Sequence, residues 1–176
     1  MKIMGLTDTP YWLSWLLLYF LVTTFISVSC SGVLMISVFK NTSYWALFLY
    51  FWMYGMSLFS FGLVLSMLIG KPRTAGIIST MVHFFTYILG TIFVQPGITR
   101  TVKGIFSLIP NIGMTLAGNF ICALESETVG VNATTITDDV SDYSLWIAYV
   151  CWLVDFFALF ALALFLDKVL PKQYGV

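Results

Sequence analysis

The sequence predicts an all-α fold: a polytopic membrane bundle of four transmembrane helices with one re-entrant helical hairpin. Three observations lead to this prediction. Hydrophobic residues make up 60% of the 176-residue chain, against about 45–50% in soluble domains. Charged residues make up only 9%, so long apolar runs lie between them. These runs must be helical, because an open strand edge in lipid would leave backbone groups without hydrogen bonds.

The charge balance and the motif content exclude several classes of function. Eight basic and eight acidic residues give a net charge of zero, which removes the electrostatic case for a nucleic-acid partner. The three cysteines, Cys30, Cys122 and Cys151, fit neither a disulfide framework nor a metal site. The sequence has no phosphate-binding loop, no zinc-protease motif and no dinucleotide fingerprint. We therefore predict no catalytic residue, cofactor or metal site on this chain, and no enzymatic activity of its own.

Four apolar runs are long enough to cross a hydrocarbon core about 30 Å thick, which takes roughly 20 helical residues. The first run starts at interfacial aromatic residues and exceeds the roughly 7–15-residue core of a signal peptide, so we expect it to stay in the membrane. The second ends at a basic turn, the third before Pro96, and the last at Asp167. The predicted spans are residues 11–39, 44–69, 74–94 and 145–166.

A fifth apolar run, residues 104–124, is interrupted by Pro110 and Asn111. It is either a kinked fifth span or a re-entrant hairpin that enters the membrane and returns to the same side. Basic residues are usually more frequent on the cytoplasmic side of a membrane protein. With four spans and a cytoplasmic start, five of the eight basic residues lie on that side, whereas with five spans most of them would lie outside. The glycosylation motifs at Asn41 and Asn132 both lie outside in the four-span topology. Both signals favour a hairpin and place the two chain termini in the cytoplasm.

The only loop of any size, residues 125–143, carries five carboxylates among serine and threonine residues. These carboxylates lack the ordered spacing of a calcium-binding loop. We therefore predict a solvated, acidic, extracytoplasmic loop.

Small and polar residues inside the spans mark the surfaces where helices can meet, since apolar surface gains nothing by leaving lipid. Small residues recur at helical spacing in the second and third spans: Gly55, Gly62, Ser66, Gly70, Gly76 and Gly90. We interpret them as helix-packing positions, with the lining of a substrate path as the alternative.

His83 and Asp155 are the two ionisable side chains at depth, about 14 and about 17 Å from the cytoplasmic ends of their helices. Such residues often mark a pathway. They either pair with each other or are satisfied separately.

The two ends of the chain carry the most specific motifs. Residues 1–6 (MKIMGL) and 11–15 (YWLSW) resemble the segment that leads into the third membrane helix in subfamily A of the ATP-binding cassette (ABC) transporters. Residues 84–87 (FFTY) are similar to the aromatic core of that family's fifth helix, and Asp155 falls where its last helix carries an aspartate. Residues 169–176 (VLPKQYGV) resemble its exit motif, Val-Phe-Pro-Gly-Gln-Tyr-Gly.

The resemblance implies that the four spans are helices three to six of a six-helix transmembrane half. It further implies a lipid substrate in the bilayer, with ATP and Mg bound at a separate nucleotide-binding domain. That domain and the remaining transmembrane helices would be the partners of this chain. His83 stands where the family usually has an aromatic residue, so the resemblance assigns it no role.

The sequence also differs from the family in its extent: it lacks the first two helices of the transmembrane half, the coupling helix and the nucleotide-binding cassette. We therefore expect a partial sequence or a truncated product. Our main hypothesis is the membrane portion of a subfamily A lipid exporter. The first alternative is a free-standing four-span protein that modulates or scaffolds a transporter. A small proton-coupled channel or carrier built around His83 and Asp155 is a weaker alternative.

Overall fold

A computed structural model describes residues 8–69 and 72–169 of the chain. Six helices make up this part, with no strand among the described residues. In chain order they are α1 (Asp8–Ser37), α2 (Tyr44–Leu68), α3 (Pro72–Phe93), α4 (Arg100–Phe106), α5 (Pro110–Ser126) and α6 (Leu145–Val169). The motifs at residues 1–6 and 170–176, and Gly70, lie outside the described residues.

Four of these helices have the length and composition of membrane spans. Their apolar segments are Trp12–Ser37, Tyr44–Leu68, Arg73–Phe93 and Leu145–Val169. The predicted fold class, an all-α multi-pass membrane bundle, is confirmed. The helices differ from the predicted spans by a few residues at their ends, and α1 begins three residues earlier than expected.

The helices alternate in direction, and α2 lies at the centre of the bundle. It contacts α1, α3, α5 and α6. At one end, which we call the hairpin end, the turn between α1 and α2 meets the loop that follows α5: the Ser43 N–H donates to the Val131 carbonyl oxygen at 2.8 Å. Both α2 and α6 start at this end and run side by side in the same direction, with Tyr149 of α6 donating to the Ala46 carbonyl oxygen at 2.9 Å.

Helices α4 and α5 form the re-entrant hairpin. Helix α4 begins and helix α5 ends at the hairpin end. The turn at residues 107–109 joins the two helices and forms the tip of the hairpin, inside the bundle. The hairpin starts earlier than the predicted 104–124, because α4 already begins at Arg100. Pro110 occupies the first turn of α5. A backbone N–H at this position makes no hydrogen bond within the helix, so a proline, which lacks this N–H, is tolerated there.

The buried core is concentrated at the hairpin end of the bundle. It is built from α2, α5 and α6, with Leu47, Ile112, Leu145 and Trp152 almost fully buried. By contrast, α1 and α3 leave most of their apolar side chains exposed, including Phe25 at 74% and Phe84 at 61%. In a membrane these faces contact lipid or other helices rather than water.

Candidate functional site

Asn111 lies at the tip of the hairpin and joins it to two spans. Its amide oxygen accepts a hydrogen bond from the Tyr54 hydroxyl of α2 at 2.8 Å. Its amide nitrogen donates to the Thr86 hydroxyl at 2.6 Å and to the His83 carbonyl oxygen at 3.3 Å, both on α3. The side chain is buried, with only 4% of the residue exposed. We call Asn111, Tyr54, Thr86 and His83 the hairpin-tip hub.

The hub lies well inside the membrane-spanning part of the bundle. Because a helix rises about 1.5 Å per residue, the ten residues from Tyr44 to Tyr54 correspond to about 15 Å. On α3, the seven residues from Thr86 to Phe93 correspond to about 10 Å. At this depth a lost hydrogen bond is costly, because lipid offers no replacement partner, so the hub holds the hairpin against its neighbours.

Further contacts bring α6 into the same assembly. The Trp152 indole N–H donates to the Pro110 carbonyl oxygen at 3.4 Å, and the Tyr50 hydroxyl donates to the Met114 carbonyl oxygen at 3.1 Å. Gly113 is required for this close approach, because a Cβ there would lie 3.0 Å from the Trp152 indole nitrogen. The hairpin is therefore tied to α2, α3 and α6 together.

A second set of contacts closes the hairpin end. The Glu125 carboxylate at the end of α5 accepts hydrogen bonds from the N–H groups of Lys40 and Asn41, at 2.7 and 2.9 Å, and from the Thr42 hydroxyl at 2.7 Å. Partial burial alone would raise the pKa of Glu125, but these hydrogen bonds hold it below its ordinary value. Gly130 packs so tightly on Asn41 that a Cβ would overlap its backbone. We call these four bonded residues, 40–42 and Glu125, the clasp.

The loop that follows α5 is also bonded to α4. Arg100 forms an ion pair with Asp139 at 2.6 Å and donates to the Ser144 hydroxyl at 3.3 Å. Lys103 is buried, with 2% of the residue exposed, and its ammonium group donates to the Ser141 carbonyl oxygen at 2.6 Å. The sequence predicted a solvated acidic loop over residues 125–143. The structure differs at Glu125, whose carboxylate is held by the clasp.

His83 and Asp155 do not form an ion pair in the structure. The His83 Nδ1 atom lies 2.6 Å from the Ser79 carbonyl oxygen on its own helix, and its ring packs against the Phe61 ring of α2 in a T-shaped arrangement. Asp155 is buried against α2, beside Ser57. The two residues are therefore not paired: His83 has a partner on its own helix, whereas the Asp155 Oδ2 atom has no hydrogen-bond partner.

Comparison with known proteins identifies the family. The family model described as "ABC-2 family transporter protein" matches residues 1–165. The chain belongs to the ABC-2 transporter family.

Its relatives are ABC transporters of subfamily A, as the terminal motifs indicated. The chain is 31% identical over 183 residues to a rat protein named cholesterol transporter ABCA5, and 29% identical over 181 residues to its human counterpart. It is 29% identical over 177 residues to a mouse protein named ABC-type organic anion transporter ABCA8B. These matches cover 99–100% of this chain but 11% of each relative, so the chain spans about a tenth of their length.

The structure separates the small residues of this ABC-2 domain into two groups. A Cβ on Gly55 would lie 2.5 Å from the Thr23 side chain of α1, and one on Gly90 would lie 2.5 Å from the Thr115 hydroxyl of α5. Both glycines are therefore at close helix contacts. At Gly62 and Gly76 a Cβ would meet nothing within 4 Å, and the Ser66 hydroxyl donates to a carbonyl oxygen of its own helix.

The two glycosylation motifs of the domain lie in different settings, although both are at the hairpin end. Asn132 and the two residues after it are exposed. The Asn132 backbone N–H donates to the Thr135 hydroxyl, but neither the Asn132 side-chain amide nor the Thr134 hydroxyl is hydrogen-bonded. Asn41 is exposed as well, but its backbone is part of the clasp, and the next residue, Thr42, is 1% exposed.

Sequence reasoning missed Asn111 and Glu125 as contact residues. An amide that directly follows a proline within an apolar run was the available signal for Asn111, because an unsatisfied amide at that depth is costly. Nothing in the sequence distinguished Glu125 from the other loop carboxylates. Among the described residues, no group of three or more histidine, cysteine or acidic side chains is arranged to hold a metal ion.

Proposed function

We propose that this ABC-2 domain forms part of the lipid translocation pathway of an ATP-driven transporter of the subfamily A type. The observation that carries the proposal is that the relatives match nearly the whole chain, and three of them are named cholesterol transporters. ATP and Mg would be bound by a nucleotide-binding domain elsewhere in the assembly.

The exposed apolar faces of α1 and α3 support a role within a larger helical assembly. Phe84, Phe85 and Tyr87 of α3 are more than half exposed, at 61%, 60% and 53%. Such an aromatic surface is suited to contacts with lipid tails or with the remaining transmembrane helices. We propose that this face of α3 is one wall of the pathway.

The hairpin-tip hub gives the proposed movement a mechanical basis. Since α2, α3 and α6 are all bonded to the hairpin, they would move together when the nucleotide-binding domain changes state. This is alternating access by the rocking of a rigid helix bundle.

We also propose an orientation, with both termini in the cytoplasm and the hairpin end outside. The positive-inside bias and the position of both glycosylation motifs at the hairpin end support it. The free Asn132 motif is then the expected acceptor for N-linked glycan. Asn41 lies three residues before Tyr44, the first residue of α2. Even in a fully extended chain its backbone would therefore lie no more than about 11 Å from the start of that helix.

A chimera tests the proposed function. The matching segment of human ABCA5 is replaced by residues 1–176, and ATP-dependent cholesterol export is measured alongside the amount of protein at its target membrane. We expect export above that of the same chimera with an inactivated nucleotide-binding domain. A chimera that reaches the membrane but exports nothing would count against the lipid pathway. A change in the activity of intact ABCA5 when the chain is co-expressed separately would instead support a modulator.

A further inference from the structure

Asp155 is a carboxyl group buried near the middle of the bundle. It lies ten residues after Leu145, about 15 Å from the start of α6. Only 6% of the residue is exposed, and its Oδ2 atom is buried without a hydrogen-bond partner. An ionisable side chain at such a depth in a membrane is by default a candidate functional group, and its role depends on the groups that contact it.

Ser57 of α2 lies beside Asp155, across the interface between the two parallel helices. It is fully buried, and its hydroxyl is close enough to interact with the Asp155 carboxyl group. Ser57 Oγ nevertheless has no partner in hydrogen-bond geometry. Two neighbouring buried oxygen atoms are therefore both unsatisfied, and a small side-chain rotation would let them bond to each other.

No cation compensates a negative charge on Asp155 within the part of the chain that the structure describes. The ion pair found there joins Arg100 to Asp139 at the hairpin end. The titratable neighbour of Asp155 on its own helix is Cys151, an acid that brings no positive charge. Across the interface, α2 presents the uncharged Ser57.

An apolar groove lies next to the pair. It runs between α2 and α6, and its lining includes Met56 and Phe156, the sequence neighbours of Ser57 and Asp155. All the lining side chains are apolar or aromatic: Trp52, Met53, Met56, Trp152, Leu153, Phe156 and Phe157. A groove of this composition offers few partners for water, so it cannot screen a buried charge well.

We propose that Asp155 is an intramembrane proton-binding site, which holds a proton at neutral pH and donates it in a hydrogen bond to Ser57 Oγ. A buried carboxylate without a cation is far more costly than a neutral acid, which needs only a hydrogen-bond partner. The proton comes from solvent, and no other bond changes. The resulting bond satisfies both unpaired oxygen atoms and links α2 to α6. The inference does not depend on the proposed lipid pathway.

Carbodiimide labelling tests whether Asp155 is protonated, because dicyclohexylcarbodiimide reacts with neutral carboxyl groups in apolar surroundings. The full chain in lipid nanodiscs is treated at pH 7, and the adducts are located by mass spectrometry. An ordinary aspartate is protonated only about one time in a thousand at pH 7, so we expect at least about tenfold more adduct on Asp155 than on the ion-paired Asp139. Equal labelling of the two residues would overturn the proposal.

Infrared spectroscopy tests the partner. We expect a carbonyl band of a protonated carboxyl group that is absent in Asp155→Asn and shifted in Ser57→Ala. The matched control is Ser60→Ala, because Ser60 is also buried on α2 but donates to the Met56 carbonyl oxygen. A band that responds equally to both serine substitutions would exclude Ser57 as the acceptor. The labelling uses the unmodified chain, so the proposal stays testable even if Asp155→Asn does not fold.

Discussion

Replacing Asn111 with alanine tests whether the hairpin-tip hub holds the bundle together. The substitution removes three hydrogen bonds to α2 and α3, with donor–acceptor distances of 2.6, 2.8 and 3.3 Å. Hydrogen bonds between side chains in membrane proteins contribute on average about 0.6 kcal/mol each, so the bonds alone amount to about 2 kcal/mol. The Tyr54 hydroxyl and Thr86 hydroxyl also lose a partner inside the bundle, which raises the expected loss to about 2–3 kcal/mol.

The chain offers a matched control on the same helix. Asn119 of α5 is exposed, and its side chain makes no hydrogen bond. We expect Asn119→Ala to change the free energy of unfolding by less than about 0.5 kcal/mol. Both variants are unfolded by denaturing detergent in mixed micelles, and hydrogen exchange is followed in α4 and α5. Equal stability of the two variants, with unchanged exchange in the hairpin, would refute the account of Asn111.

A double-mutant cycle isolates one arm of the hub. Combining Tyr54→Phe with Asn111→Ala should give a coupling energy of about 0.5–1.5 kcal/mol, because the two side chains share a bond of 2.8 Å. A coupling energy near zero would mean that this bond contributes nothing to stability.

Three further predictions concern the clasp, the helix contacts and the exposed loop. The pKa of Glu125 is lowered in the folded chain, so its stabilising effect should be present above about pH 4.3 and decrease as the pH falls through the folded value. Glu125→Gln should remove this part of the pH dependence in an unfolding titration and cost about 1–3 kcal/mol at pH 7. Gly90→Ala should destabilise the bundle by about 1–3 kcal/mol through its contact with α5, whereas Gly62→Ala should stabilise it by about 0.5–1 kcal/mol, both measured by thermal unfolding. In microsomal translation, Asn132→Gln should abolish the glycan-dependent mobility shift and Asn41→Gln should leave it; the opposite result would contradict the assignment of the acceptor.

The spans and the hairpin were predictable because membrane crossing depends on length and composition. A run of about 20 apolar residues between charges is sufficient to identify a span in lipid. The break at Pro110, combined with the distribution of basic residues, favoured the hairpin without any contact being known. The length of an apolar run, the position of a proline and the distribution of basic residues can all be read directly from the sequence, without knowledge of any contact between helices.

The contacts of the polar side chains were not predictable in the same way. Hydrophobic residues are spread over every face of α2 and α6, so their sequences do not indicate which face meets a neighbour. Lys103 of α4 is a second case. Nothing in its sequence context indicates burial, yet its stem is buried and its ammonium group donates to the Ser141 carbonyl oxygen. A lysine can do this because its long apolar stem packs in the core while its charged end reaches a polar group.

The separation of His83 from Asp155 shows why similar depth does not establish a contact. The two residues meet the same helix, α2, but at Phe61 and at Ser57, which are four residues and therefore about 6 Å apart along its axis. The His83 ring is also turned toward the Ser79 carbonyl oxygen of its own helix. Counting residues from the helix ends gives depth, but it gives neither the rotation of each helix nor the local partner that binds the side chain first. A local carbonyl oxygen needs no change in helix packing, so it satisfies an imidazole more readily than a carboxyl group on another helix.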